Sequence, residues 1–298
     1  MKEYEVLIVG GGMAGLSTAL VLGRTLVNCC IISREHFGVS KGLEPHNFIT
    51  NDSKSLAEML RDAKADVSKY ESVDFKDLSI DKVSYDGNLF HVENDSGVRV
   101  TGKRIVFATG SSYNFDSAPK GLSDAFGVSI FNCPFCHGYE MKDKKVTVIG
   151  EQQAAVPLAN LLSRYTNDIT ILSNGSELST GVVSNFASSS APIEQIHSEN
   201  GQVEYIAMQN GEQIEAEYVY LASMKDYVKA SLPSQLGIEM VFNPAVNMSV
   251  YPTDPVGRSQ LKNAYIIGDL RTGFSTLVGA SNEGNVLGMI LVGDISQD

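Results

Sequence analysis

Residues 4–15 read YEVLIVGGGMAG, and this stretch constrains the fold more than any other. An apolar run is followed by Gly10, Gly12 and Gly15 in GxGxxG spacing, then by LSTALVLGRTL with helical periodicity, which predicts a strand, a tight turn and a helix. The chemistry dictates those glycines. The first permits the turn, the second lets the backbone approach a pyrophosphate, and the third lets helix and strand pack closely. Free N–H groups and the helix dipole then bind the phosphates. A further apolar run, NCCIIS, follows as the next strand, so the N-terminal region reads as a dinucleotide-binding βαβ unit. An acidic residue normally ends that second strand and bonds the ribose. Here Ser33 stands in its place with Glu35 two residues later, and these two are the ribose candidates.

Two later segments read as strands of the same kind. KRIVFATGSS (103–112) is a buried strand ending in Ala108, Thr109 and Gly110. NAYIIGDLRTGFSTLVGASNEGNVLG (263–288) is a strand, Gly268 and Asp269, a loop, and a helix starting at Thr276 and Leu277. Between them, KKVTVIGEQQAAVPLANLLSRYTNDITILSNG (144–175) repeats the strand, turn and helix pattern at Gly150. A chain of 298 residues suits two domains of ordinary size. The expected fold is therefore α/β with two dinucleotide-binding, Rossmann-like domains. The first is split over 1–112 and 242–298, and the second, 113–241, is inserted into it.

Residues 131–140, FNCPFCHGYE, carry two cysteines two residues apart, with His137 directly after Cys136. Composition decides what such a pair is for. With 23 basic and 35 acidic residues the net charge is −12, which removes the usual footprint for nucleic acid or anionic lipid. No apolar run approaches the ~18 residues of a membrane span, and MKEYE leads straight into VLIVGGG without a basic leader, so a cytoplasmic protein is expected. Four cysteines make no disulfide framework in so long a chain, which leaves catalysis or metal binding. A structural zinc site needs four ligands, and Cys29, Cys30, His36, His46, His91 and His197 show no second CxxC or HxxxH spacing, so no metal is expected. Cys29 and Cys30 read as core residues of a buried strand. A CxxC pair lowers the pKa of one thiol, and a neighbouring imidazole can move its proton. Cys133, Cys136 and His137 are the catalytic candidates.

The order of these motifs resembles that of the low-molecular-weight thioredoxin reductases over nearly the full length. CPFCHGYE, together with PHNFIT at 45–50, is similar to the branch with dithiol oxidases of gliotoxin and holomycin biosynthesis. The resemblance implies FAD on the split domain. Thr109 and Gly110 would pass near it, Asp269 would bond its ribityl chain, and the helix at Thr276 and Leu277 would point at the flavin's N1/C2=O side. It also implies a homodimer, Cys136 as the sulfur next to the flavin, and Cys133 as the thiol meeting substrate. His46 and Asn47 would line the flavin or the substrate mouth. The chain departs from the pattern twice. His137 stands where the reductases carry aspartate. In the second turn, Gly150, Glu151, Gln152, Gln153, Ala154, Ala155 replaces GxGxxA, and ILSNGSELSTG contains no Lys or Arg for a 2′-phosphate. At an effective dielectric of ~20, one like-charge pair about 5 Å apart costs on the order of 3 kcal/mol, roughly a hundredfold in affinity. NADPH binding is thus expected to be weak or lost.

Three activities are consistent with these residues. One is an FAD-dependent dithiol oxidase passing electrons to O2 or another acceptor. Another is a thioredoxin reductase fed by NAD(P)H or a ferredoxin-like carrier, with a small dithiol or a thioredoxin-like protein as substrate in either case. The third is a flavin-binding redox sensor without turnover.

Overall fold

The structure is a computed structural model that describes residues 2–34, 44–179, 185–222, 227–244, 248–272 and 276–297. It divides into two compact units: Met1–Gly38 with Ala57–Ser112 and Val228–Asp298, and Val39–Leu56 with Tyr113–Tyr227. The return to the first unit comes at Val228, ahead of 242, because Leu232 and Ile238 enter the same apolar core as Leu7, Phe90 and Ile105. The stretch around His46 belongs to the second unit.

The first unit is built on a sheet ordered Val73–Lys76, Cys29–Ile32, Glu3–Val9, Arg99–Phe107, Phe90–Glu93, Lys82–Tyr85, with Ala264–Ile266 also pairing Arg99–Phe107. Glu3–Val9 is parallel to both neighbours. Parallel strands are covered on both faces and so need continuous apolar sequence. Val6, Leu7 and Ile8 and, beside them, Ile105, Val106 and Phe107 are all 0% exposed. Phe90–Glu93 and Lys82–Tyr85 form an antiparallel extension. Cys29 and Cys30 are buried in this sheet, and burial pushes their thiols up to about 12 and about 11. They are core residues, inert at neutral pH.

Helix Met13–Arg24 packs against helix Leu277–Ile295. The two backbones approach so closely that a Cβ on Gly284 would lie 2.1 Å from the Ala14 carbonyl oxygen, and one on Gly288 would lie 2.6 Å from Val21 Cβ. The glycines of NEGNVLG are thus a packing requirement. They hold the C-terminal helix against the helix that follows the first glycine turn.

The second unit has a parallel sheet ordered Ala187–Ser189, Ile169–Leu172, Val146–Ile149, Tyr218–Leu221, Ile130–Phe131. Helix Gln152–Leu162 follows Val146–Ile149. An antiparallel meander of Ile193–Glu199, Gln202–Met208 and Gln213–Glu215 completes it. Each unit is therefore a parallel α/β layer started by strand, glycine turn and helix. No described helix is long and apolar enough to cross a membrane.

Candidate active site

The first turn has the geometry its glycines imply. Gly10 has φ +115°, and a Cβ there would sit 2.3 Å from the Ala108 carbonyl oxygen; a Cβ on Gly15 would sit 2.0 Å from the Gly10 carbonyl oxygen. Neither position admits a side chain. A Cβ on Gly12 would meet nothing within 4 Å. Gly12 caps helix Met13–Arg24, whose first turn carries no side-chain cap and no acidic residue. Open space in front of bare N–H groups is a cradle for a phosphate.

Around this cradle the same unit gathers polar groups. Ser33 follows strand Cys29–Ile32 and donates its N–H to the Lys76 carbonyl at 3.1 Å. Glu35 lies outside the described residues. Thr109 Oγ1 is buried without a hydrogen-bond partner among the described residues, and Gly110 is left-handed at φ +68° with open space beside it. A buried hydroxyl without a partner calls for a ligand or water to complete it. Ser111 Oγ donates to Asp269 Oδ2 at 3.4 Å, and burial raises the Asp269 carboxyl above its ordinary range. Gly268 donates its N–H to Glu283 Oε2 at 2.7 Å, tying the GD turn to the C-terminal helix. Thr276 caps that helix by accepting from the Gly279 N–H at 2.9 Å, and Leu277 is its first residue.

Ser111, Glu283 and Lys229 were not visible as site residues in the sequence. Lys229 donates to the carbonyls of Asp269 and, at 3.1 Å, Thr272, and burial lowers its pKa. A lone lysine in a short polar stretch carries no motif, so no signal marked it.

The second turn starts in the same way and ends differently. Gly150 again follows a strand, and a Cβ there would sit 2.7 Å from Ala222 Cβ. Glu151 then occupies the cap of helix Gln152–Leu162, with φ −62° and ψ 148°. The Gln152 carboxamide oxygen accepts from the Ser179 N–H, so its side chain bridges the helix start and the segment after strand Ile169–Leu172. A carboxylate and a carboxamide thus stand where the first turn is bare.

Cys133 and Cys136 are joined as a disulfide, with Cα atoms 5.3 Å apart. Cys133 caps the single helical turn Pro134–His137, with Pro134 at the first helical position, where its fixed φ and missing N–H are tolerated. The Cys136 N–H points at Cys133 Sγ at 3.2 Å, and such a donor favours a thiolate there. Cys133 is 6% exposed, whereas Phe135 is 64% exposed. His137 stacks on Phe131 with ring centroids 4.0 Å apart, and its Nδ1 is buried without a partner among the described residues. Burial pushes its pKa down to about 4, against an upward pull from Glu140 and with a further downward push from His46.

PHNFIT meets this turn directly. The Asn47 side-chain amide donates to the Phe135 carbonyl at 2.5 Å, and His46 Nε2 lies 3.3 Å from Glu140 Oε1. Asn47 is left-handed at φ +65°, a conformation asparagine tolerates, and its N–H bonds Asp52 Oδ1 at 2.7 Å. Within the second unit, Cys133, Cys136, His137, His46 and Asn47 therefore form one cluster. Among the described residues no three His, Cys, Asp or Glu side chains converge to hold a metal ion.

Known proteins of this architecture share the layout. The chain is 24% identical to thioredoxin reductase tcpT of Claviceps purpurea over 96% of its own length and 92% of that protein. A protein of Arthroderma benhamiae assigned as a thioredoxin reductase is 28% identical over 59% of the chain, and the match spans only 45% of that relative's length. A crystal structure from Bacillus anthracis, assigned to a thioredoxin reductase TrxB, superposes with a TM-score of 0.91 at 25% identity, covering 99% of each chain. Residues 4–284 match the family model for pyridine nucleotide-disulphide oxidoreductases, and the chain belongs to that family, as a thioredoxin-reductase-like member.

Proposed function

We propose that the chain is an FAD-dependent dithiol oxidase that draws an electron pair from a substrate dithiol through Cys133 and Cys136 and delivers it to O2 or another acceptor. The observation that carries this reading is the disulfide capping its own helical turn, with a buried, neutral imidazole in the next residue. FAD would be held by Gly10, Gly12, Gly15, Ser33, Thr109, Gly110, Asp269 and the start of the helix at Thr276 and Leu277. When bound, it supplies two-electron exchange between the cysteine pair and the acceptor.

The protein's own groups carry the thiol chemistry. With a pKa of about 4, His137 is neutral at pH 7 and accepts the proton of an incoming substrate thiol. The resulting thiolate attacks Cys133, the Cys133–Cys136 bond breaks, and Cys136 leaves as thiolate. A second substrate thiol gives up its proton and attacks the substrate sulfur of the mixed disulfide. Cys133 then leaves as thiolate, stabilised by the Cys136 N–H. The substrate departs as a disulfide, and the cysteine pair holds its two electrons. A new thiolate beside His137 also stabilises the imidazolium, so the base strengthens as the disulfide opens.

The oxidase direction rests on Glu151 and Gln152. A negative charge at the cap and a side chain bridging to Ser179 oppose a dinucleotide phosphate at that helix start. A second reading, a reductase fed by NAD(P)H or a ferredoxin-like carrier and acting on a thioredoxin-like protein, draws on the full-length relative named a thioredoxin reductase. In either case the working form is a cytoplasmic homodimer. Anaerobic titration of the flavin-loaded protein separates the readings. Dithiothreitol is expected to bleach the flavin absorbance and NADPH is not. Prompt bleaching by NADPH overturns the oxidase reading, and bleaching by neither points to a sensor.

A further inference from the structure

The steps above leave a group of side chains beside the disulfide unused. His46 Nε2 lies 3.3 Å from Glu140 Oε1, and its Nδ1 lies 3.5 Å from both Asp52 Oδ2 and Ser53 Oγ. Its ring meets that of His137 edge-on, with centroids 6.2 Å apart. These side chains form a gradient from interior to solvent. His137 Nδ1 is shut away from solvent, while the side chains of His46, Glu140 and Asp52 are 21%, 37% and 61% exposed.

The stoichiometry of dithiol oxidation makes such a gradient useful. Two substrate thiols surrender two protons for each disulfide opened, and a single buried imidazole holds only one. Stacked on Phe131, His137 must hand on its first proton before it can take the second. A 6.2 Å separation of ring centres suits transfer through one bridging water.

We propose that His46, clamped between Glu140 and Asp52, is the proton exit for His137. This rests on the dithiol chemistry assigned above. The proton leaves the substrate sulfur for the His137 ring, passes to His46, and reaches solvent on the Asp52 side. Meanwhile the electron pair stays with the sulfurs. Glu140 draws a proton toward the His137 ring, whereas charge on His46 repels one there. Among the described residues, Tyr220 also senses Glu140 and the neighbouring Tyr165 and Tyr218, and burial pushes its phenol well above the ordinary range. His46 is thus a positioning residue that acts through His137.

The test is the rate of disulfide opening by dithiothreitol in the full-length, flavin-loaded protein, with freed thiols trapped by N-ethylmaleimide and counted by mass. Three variants, His46→Gln, Glu140→Gln and Asp52→Asn, are compared with the parent across pH and buffer concentration. His46→Gln is expected to slow opening about tenfold at pH 7 and to regain rate as imidazole buffer is added, while the parent stays insensitive to buffer. Glu140→Gln, which retains hydrogen-bonding groups, is expected to move the acid limb of the pH profile to lower pH, because it removes the charge that raises His137. Asp52→Asn is expected to slow opening less than threefold. A His46→Gln rate equal to the parent's overturns the relay, as does a slow rate that imidazole does not restore. Should His46→Gln fail to fold, a Glu140→Gln rate at pH 7 equal to the parent's, with the His46 clamp removed, overturns it instead. A parent disulfide that dithiothreitol never opens would sink the dithiol oxidoreductase reading itself, a result distinct from failure of the relay.

Discussion

The two glycine turns of this protein share a strand, a glycine and a helix, and they differ in what stands at the helix start. After Gly10 comes Gly12, with open space where a Cβ would be; after Gly150 come Glu151 at the cap and Gln152, whose side chain reaches the Ser179 N–H. What both retain is the glycine pressed against a neighbouring strand: Gly10 against Ala108, and Gly150 against Ala222. The contrast shows which part of the motif serves the fold and which the ligand. Close packing demands a glycine whether or not anything binds. A position whose Cβ would meet nothing, as at Gly12, is not demanded by that packing.

The largest expected effect breaks the first turn. In Gly15→Val, a Cβ 2.0 Å from the Gly10 carbonyl oxygen has no flexible neighbour to displace. A loss of several kcal/mol is expected, measured as a collapsed melting temperature and a colourless product. Gly12→Ala separates fold from ligand, because its Cβ meets nothing within 4 Å. Its apoprotein should melt with the parent while flavin affinity falls tenfold or more, about 1.4 kcal/mol, read by equilibrium dialysis. Full flavin affinity in Gly12→Ala would mean that no phosphate sits at this helix start.

The converse experiment rebuilds the second turn. In Glu151→Gln with Gln152→Gly, the cap charge disappears and the bridge to Ser179 is released. Anaerobic reduction of the flavin by NADPH should then rise, by up to a hundredfold if one like-charge contact of about 3 kcal/mol was the barrier. Unchanged reduction would place the obstacle elsewhere, most directly in the missing Lys and Arg of ILSNGSELSTG.

How much of this was legible beforehand follows from how local each signal is. YEVLIVGGGMAG and KKVTVIG read as strand and turn because apolar runs and glycine constraints act over a few neighbours. CPFCH was visible because CxxC spacing is itself the chemistry. The domain return at Val228 was not, since the apolar residues that decide it, Leu232 and Ile238, are scattered singly and declare themselves only against Phe90 and Ile105. The link between PHNFIT and the disulfide was hidden for a similar reason. Asn47 reaches the Phe135 carbonyl across 88 positions, from an irregular segment whose positive φ values at Asn47, Thr50 and Ser53 no periodicity announces. Lys229, with its main-chain partners Asp269 and Thr272, belongs to the same class.

The smallest expected effect concerns stability, and it bears on why the second unit tolerates a histidine beside its disulfide. Burial holds His137 neutral in the folded protein down to about 4, whereas in the unfolded chain an imidazole titrates near 6.5. Between those values the unfolded state binds the extra proton. Acidification therefore favours unfolding: this contribution to stability is fully present above about pH 6.5 and drains away as pH falls toward 4. In His137→Asn the drain is absent. The melting temperatures of parent and variant should thus differ most above pH 6.5 and converge, or cross in the variant's favour, on the way to pH 4. The first unit's Cys29 and Cys30, pushed up to about 12 and about 11, titrate far from that window and leave the comparison clean. A constant gap between the two melting curves from pH 7 to pH 4 would mean that His137 is protonated in the fold as readily as in the open chain. Burial would then not be what keeps its imidazole neutral near pH 7.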